Sequence, residues 1–103
     1  MSKRAALRWT EVALKDLQAA HDYIRRHNPD AARRFAGSVR KATKHLRDHP
    51  QMGPVHQDLT PLGRYRYLVV ASFLIIYRLA EDDVIVVLRV WDSRQDPDRL
   101  VPE

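Results

Sequence analysis

GRYRYLVVASFLIIYRLAEDDVIVVLRVWD, residues 63–92, holds most of the strongly β-forming side chains of the chain and decides its fold. Its β-branched and aromatic residues suit a half-buried pleated surface. Two polar breaks, Ala71-Ser72 and Glu81-Asp82-Asp83, divide it into three consecutive strands. The first, Arg64 to Val70, alternates arginine and tyrosine before turning apolar. The last, Val84 to Val90, is apolar at every position except Arg89, the pattern of an interior strand covered on both faces. Helices can cover one of those faces; the other needs side chains, the segment that follows, or a partner.

Upstream the hydrophobic period changes. Ala5 to Trp9 alternates and reads as an edge strand, and Thr10 then offers a hydroxyl to cap a helix. Ala13, Leu17, Ala20 and Ile24 recur at helical spacing, so an amphipathic helix runs from Glu11 to about His27. Asn28 ends it, because Pro29 disfavours helical geometry in the residue before it. The same pair opens a second helix, with Asn28 as N-cap, Pro29 in the first turn and Asp30 beside the positive helix end. Phe35, Val39, Ala42 and Leu46 form its apolar stripe, while Arg33, Arg34, Arg40, Lys41, Lys44 and Arg47 make its other side basic. Asp48 to Pro61 has three prolines, a glycine and no period, and reads as a loop. The order is β-α-α-β-β-β: an α+β domain over residues 1–92 with a helical hairpin on a small, mainly antiparallel four-stranded sheet, and an extended or partly disordered polar tail over 93–103.

At 103 residues the chain is one domain. Its net charge of +5 and pI near 10.0 favour an anionic partner, either nucleic acid or an acidic protein segment. With no cysteine, disulfides and thiolate chemistry are excluded. The apolar run from Leu68 to Ile76 is far shorter than the roughly 20 residues of a membrane-spanning helix, and MSKRAALRW has no apolar core of a signal peptide. A cytoplasmic protein with no membrane partner is expected. No glycine-rich phosphate loop or nucleophile elbow occurs, and no cofactor is expected. His45 and His49 have the spacing of helical metal ligands, but no third ligand lies nearby in sequence, and no metal is expected.

Several landmarks, in order and at consistent spacing, carry a resemblance: Asp16-Leu17, Tyr23-Ile24, Asn28-Pro29, Ala31-Ala32, Phe35, Leu46, Pro50, Gly53, Gly63, Arg66, Ile76-Tyr77-Arg78, and Val87 through Arg94. The chain resembles, over nearly its whole length, the RelE/ParE toxins of type II toxin-antitoxin modules, also known as plasmid stabilisation proteins. The resemblance implies a toxin neutralised by an antitoxin with a DNA-binding head and a disordered tail that folds over the toxin.

The family has two activities. RelE-like members cut messenger RNA on the ribosome with basic side chains for phosphate and a proton-transfer residue near the strand ends. There an arginine shortly precedes the middle-strand tyrosine, and a histidine or tyrosine ends the last strand. This chain places Leu74 and Trp91-Asp92 at the matching positions. A ribonuclease would have to rely on Arg64, Arg66 and Arg89, with Asp92 or His49 as base. ParE-like members lack that set and poison DNA gyrase. The resemblance is closer to the ParE branch, which implies a growth inhibitor that binds and does not cut. Alternatives are a ribosome-dependent mRNA endoribonuclease and a degenerate, non-toxic member.

The residues expected to bind antitoxin or target are Arg64, Arg66, Tyr77, Arg78, Arg89, Trp91 and Arg94. Arg64 and Arg66, two apart in a strand, should project on one face, and their guanidinium forks suit carboxylates and phosphates. Tyr65 and Tyr67 should point to the opposite face and pack in the core. Trp91 should cover the sheet end.

Overall fold

Thr10 stands where a strand gives way to a helix, and its side chain serves both. The hydroxyl accepts from the Ala13 amide at 3.0 Å, capping α1 (Glu11–His27), and donates to the Leu88 carbonyl in the last strand at 3.2 Å. The computed structural model describes residues 4–56 and 64–103. Before Thr10 lies β1 (Leu7–Trp9); after α1 come α2 (Pro29–Asp48), β2 (Arg66–Val70), β3 (Phe73–Leu79) and β4 (Ile85–Asp92). Asn28 closes α1 through its backbone amide and caps α2 through its side chain, which accepts from the Ala31 amide at 3.1 Å. One residue thus makes the helical hairpin, as expected from Asn28-Pro29.

The sheet order is β1-β4-β3-β2, with β1 parallel to β4 and the other pairs antiparallel. The expected α+β architecture holds, and β4 is interior. β2 starts at Arg66, two residues later than expected, and β4 is displaced toward Asp92. Residues 57–63, with the end of the expected loop and the landmark Gly63, lie outside the described residues.

β4 carries a bulge. Ile76 pairs with Arg89 and Tyr77 with Val87, so Leu88 is an extra residue. In a regular strand Val87 and Val90, three apart, would face opposite sides. The inserted residue brings both to the helix side and sends Leu88 and Trp91 to the other. Two cores result. The larger lies between helices and sheet, where Ala13, Ala20, Phe35, Val39 and Leu46 meet Leu68, Phe73, Ile75, Tyr77, Ile85 and Val87. The smaller, on the helix-free face, joins Tyr65, Ile76, Leu88 and Trp91 to Leu100.

Leu100 belongs to the segment expected to be an extended or disordered tail. Residues 93–103 instead hold a 3-10 turn at Pro97–Arg99; Arg94 and Gln95 line a cleft beside α1, and Leu100 to Glu103 are ordered on the helix-free face. The apolar surface of Tyr65, Ile76, Leu88 and Trp91 gives Leu100 a site to bury, which offsets the cost of ordering a polar segment. The tail thus covers the part of the second face formed by Tyr65, Ile76, Leu88 and Trp91, while Val69 on β2 stays exposed.

No helix among the described residues is long and apolar enough to cross a membrane.

Candidate functional site

The helix-free face of the sheet holds Leu74 and Trp91, the positions that the resemblance matches to catalytic side chains of RelE-like ribonucleases. Leu74 of β3 lies opposite Trp91 of β4 on one side and Val69 of β2 on the other. The three make one cross-strand row, in which Trp91 is 8% exposed and Val69 is 65% exposed. The row is apolar, and it can neither hold a phosphate nor move a proton. Trp91 covers the sheet end as expected. Arg89 lies over its ring at 5.4 Å, and its indole Nε1–H is buried with no hydrogen-bond partner among the described residues.

Most of the expected arginines are held by groups of the same chain. Arg89 donates from Nε and Nη2 to the two carboxylate oxygens of Asp16, at 2.7 and 3.2 Å, and from Nη1 to the Val101 carbonyl at 3.1 Å. Arg78 Nε donates to Glu103 at 2.8 Å. Arg94 is paired with Asp92 two residues away, from Nη2 at 2.9 Å. Arg66 donates to the Gly53 carbonyl at 2.8 Å and to that of Gln51 at 3.3 Å, anchoring the loop after α2. On helix α2, Arg47 leaves the expected basic face and donates to the Ala5 carbonyl at 2.9 Å.

The expected pairing of Arg64 and Arg66 on one face does not occur. Arg64 precedes β2, so strand alternation does not govern it. It is exposed and lines an open cleft with Arg8, Arg78 and Val86, whereas Arg66 turns toward the loop at Gly53. Tyr65 and Tyr67 do pack against the sheet, as expected.

Tyr77 is not available as a binding residue. Its side chain is fully buried, and its hydroxyl accepts from the Gly53 amide and donates to the Pro50 carbonyl, both at 3.0 Å. Burial pushes its phenol pKa up. Gly53 is required by this approach: a Cβ there would lie 2.5 Å from the Tyr67 carbonyl oxygen and 2.7 Å from the Tyr77 hydroxyl. The landmarks Pro50, Gly53 and Tyr77 are therefore one structural unit.

Asp92, the expected alternative base, is bonded by the Arg94 guanidinium, which holds its carboxyl below the usual carboxylate range. A carboxylate so stabilised is a weak proton acceptor. His49 is exposed at the C-cap of α2, away from the strand row. It lies near His45, and no group of three or more metal-ligating residues forms among the described residues.

The sequence reading missed one cluster, built by the tail. Glu103 accepts from the Tyr65 hydroxyl at 2.7 Å through one oxygen and from Arg78 through the other. The Tyr65 bond first, and the Arg78 bond after it, hold the Glu103 carboxyl below its ordinary range, and the same bond raises the Tyr65 phenol. The sequence signal was Leu100-Val101, an apolar pair inside a segment otherwise rich in charge and proline.

Comparison with known proteins agrees with this architecture. Residues 7–97 match the family model for the ParE toxin of the type II toxin-antitoxin system parDE. The chain is 33% identical over 82 residues to toxin RelE2 of Caulobacter vibrioides, spanning 80% of this chain and 88% of that protein. It is also similar in fold to a chain of the chromosomal ParDE system of P. aeruginosa, with a TM-score of 0.72 at 23% identity, over 90% of this chain and 100% of the other. A helical hairpin on a β1-β4-β3-β2 sheet, joined to this match over most of its length, places the chain in the RelE/ParE family of type II toxin-antitoxin toxins.

Proposed function

We propose that this toxin inhibits growth by binding, with DNA gyrase as its target and without cutting RNA, and that it does so in the cytoplasm. The apolar row Val69, Leu74 and Trp91 carries the reading. Strand-end positions that would need a cation and a proton-transfer group hold leucine and tryptophan instead. RNA cleavage by attack of a 2′-hydroxyl needs an acceptor, a donor and charge stabilisation within hydrogen-bonding reach. Arg89 is committed to Asp16 and Asp92 to Arg94, which leaves that set incomplete. A gyrase poison needs a surface and no such set.

Membership of a type II system implies a cognate antitoxin. An acidic, amphipathic segment of that antitoxin suits the basic chain, whose net charge is +5. Inducing the toxin without its partner tests the target. Accumulation of cleaved gyrase–DNA complexes and a DNA-damage response are expected, with transcripts intact. Prompt transcript cleavage with intact chromosomes would favour the ribonuclease, and unimpaired growth at confirmed expression would favour a non-toxic member.

A further inference from the structure

Six of the chain's 18 basic residues lie in α2, against two of its 13 acidic ones, and those two acids stand at the helix ends. Both are engaged, Asp30 by Arg33 and Asp48 by Arg4. Arg47 turns to the Ala5 carbonyl. Arg34, Arg40, Lys41 and Lys44 remain, all exposed, and none of them forms an ion pair among the described residues. Helical periodicity sets their placement. Phe35, Val39 and Leu46 face the core, whereas the positions three and four residues to either side of Gly37 are Arg33, Arg34, Arg40 and Lys41, with Lys44 two turns beyond it. A Cβ built on Gly37 would meet nothing within 4 Å. Glycine in a helix interior is less stable than alanine, and no contact within the chain requires it here. The centre of this face is therefore bare backbone ringed by cations.

We infer that the outer face of α2, centred on Gly37, contacts the phosphate backbone of duplex DNA without reading its sequence. DNA as the occupant rests on the gyrase reading above, in which the toxin acts on a gyrase–DNA complex; the basic face itself does not. Charge complementarity selects a polyanion, because four unpaired cations share one helix and no carboxylate between Ala31 and Arg47 opposes an approaching phosphate. Spacing fits as well. Arg34 to Lys44 spans about 15 Å of helix, a length over which one strand of B-DNA presents about four phosphates. The missing Cβ of Gly37 lets a phosphate come close to the helix between the flanking cations, and attraction grows as the distance falls. No Asn, Gln or aromatic side chain lies among these positions, so the contact is one of charge and carries no sequence information.

Fluorescence anisotropy of a short labelled DNA duplex of arbitrary sequence, titrated with the full chain at several salt concentrations, tests the face. Affinity should fall with salt along a log–log slope of about −3 to −4, as for about four phosphates. The Arg34→Gln, Lys41→Gln double variant should bind about tenfold more weakly at low salt and reduce the slope by about 2. A Lys15→Gln, Arg99→Gln double variant loses the same charge outside α2, and its affinity should change less than about twofold. Gly37→Leu keeps the charge and improves helix propensity, yet should weaken binding about tenfold by holding phosphates off the face. Equal losses in the two double variants, an unaltered slope, or a folded Gly37→Leu chain that binds as tightly as the unmodified one overturns the inference. Should Gly37→Leu lose its cooperative melting transition, the two double variants alone decide. An RNA duplex of the same length and an acidic peptide identify the occupant, and tighter binding of either than of DNA overturns the assignment. No gyrase is present, so failure here leaves the target reading standing, while transcript cleavage on induction would remove that reading without altering these affinities.

Discussion

Arg89 and Asp16, 73 positions apart in sequence, form a two-pronged ion pair that fastens α1 to the outer edge of β4. The reason lies in the length of β1. Its three residues pair with Ile85 to Val87 and stop, leaving the remaining edge of β4 without a strand. An uncovered edge presents unpaired backbone groups. Thr10 takes the Leu88 carbonyl, and Asp16, besides holding Arg89, accepts the Val90 amide at 3.1 Å. A helix substitutes for the missing strand.

Removing Asp16 therefore costs stability. Both side chains are 19% exposed, and Asp16→Ala strands the Arg89 guanidinium and the Val90 amide. A loss of about 3 kcal/mol is expected from urea unfolding. Asp16→Leu combined with Arg89→Met should lose less than the sum of the two single changes, because no lone charge remains. Strict additivity would show that the pair carries no coupling.

Tyr77→Phe leaves the Gly53 amide and the Pro50 carbonyl without their partner, at a cost of about 1–3 kcal/mol. Gly53→Ala should cost at least as much, since its Cβ would meet the Tyr67 backbone, which cannot rotate aside. Thermal unfolding of both single variants checks the unit. A neutral Gly53→Ala would mean that the loop moves freely.

Ala71, in the two-residue turn between β2 and β3, has φ of 53°, the left-handed region that disfavours a Cβ. Ala71→Gly should stabilise the chain by about 0.5–1 kcal/mol by relieving that strain. The melting temperature should rise by a few degrees. A fall would show that the turn is unstrained or that the glycine's entropy in the unfolded chain dominates.

Stability should fall at both ends of the pH range. Burial raises the Tyr77 phenol, and the Glu103 bond raises that of Tyr65. A group raised on folding contributes fully below its unfolded value, near 10 for tyrosine, and loses that contribution as pH climbs through the folded value. Glu103 and Asp92 are lowered, so their contribution is full above the ordinary carboxylate range near 4 and is lost as pH falls through the folded values. Urea unfolding from pH 2 to 11 should show a shallower alkaline limb for Tyr77→Phe and a shallower acid limb for Glu103→Gln. Superimposable limbs would remove these groups from the account.

Much of this was legible in the residues because it is local. Thr10 and Asn28-Pro29 mark helix ends through their own side chains and ring geometry. Spacing of Ala13, Leu17, Ala20 and Ile24 defines a helical face without reference to anything else, and the identities of Leu74 and Trp91, at the positions that the resemblance matches to a cation and a proton-transfer group, are read directly from the sequence. The partners of the arginines were not legible. A guanidinium reads the same in sequence whether it awaits a phosphate or is already bound, and Asp16, Asp92 and Glu103 claim Arg89, Arg94 and Arg78 only after folding.

By itself, then, the sequence determined the order of elements, the helical hairpin and the apolar strands, since each follows from periods and caps over a few residues. Which face each strand residue occupies was decided by tertiary structure, because the single extra residue Leu88 inverts the alternation and turns Trp91 toward the tail. The same holds for the tail. Only the assembled sheet brings Tyr65, Arg78 and Trp91 together, and only such a surface buries enough of Leu100 and binds enough of Glu103 to order a segment that is polar in sequence.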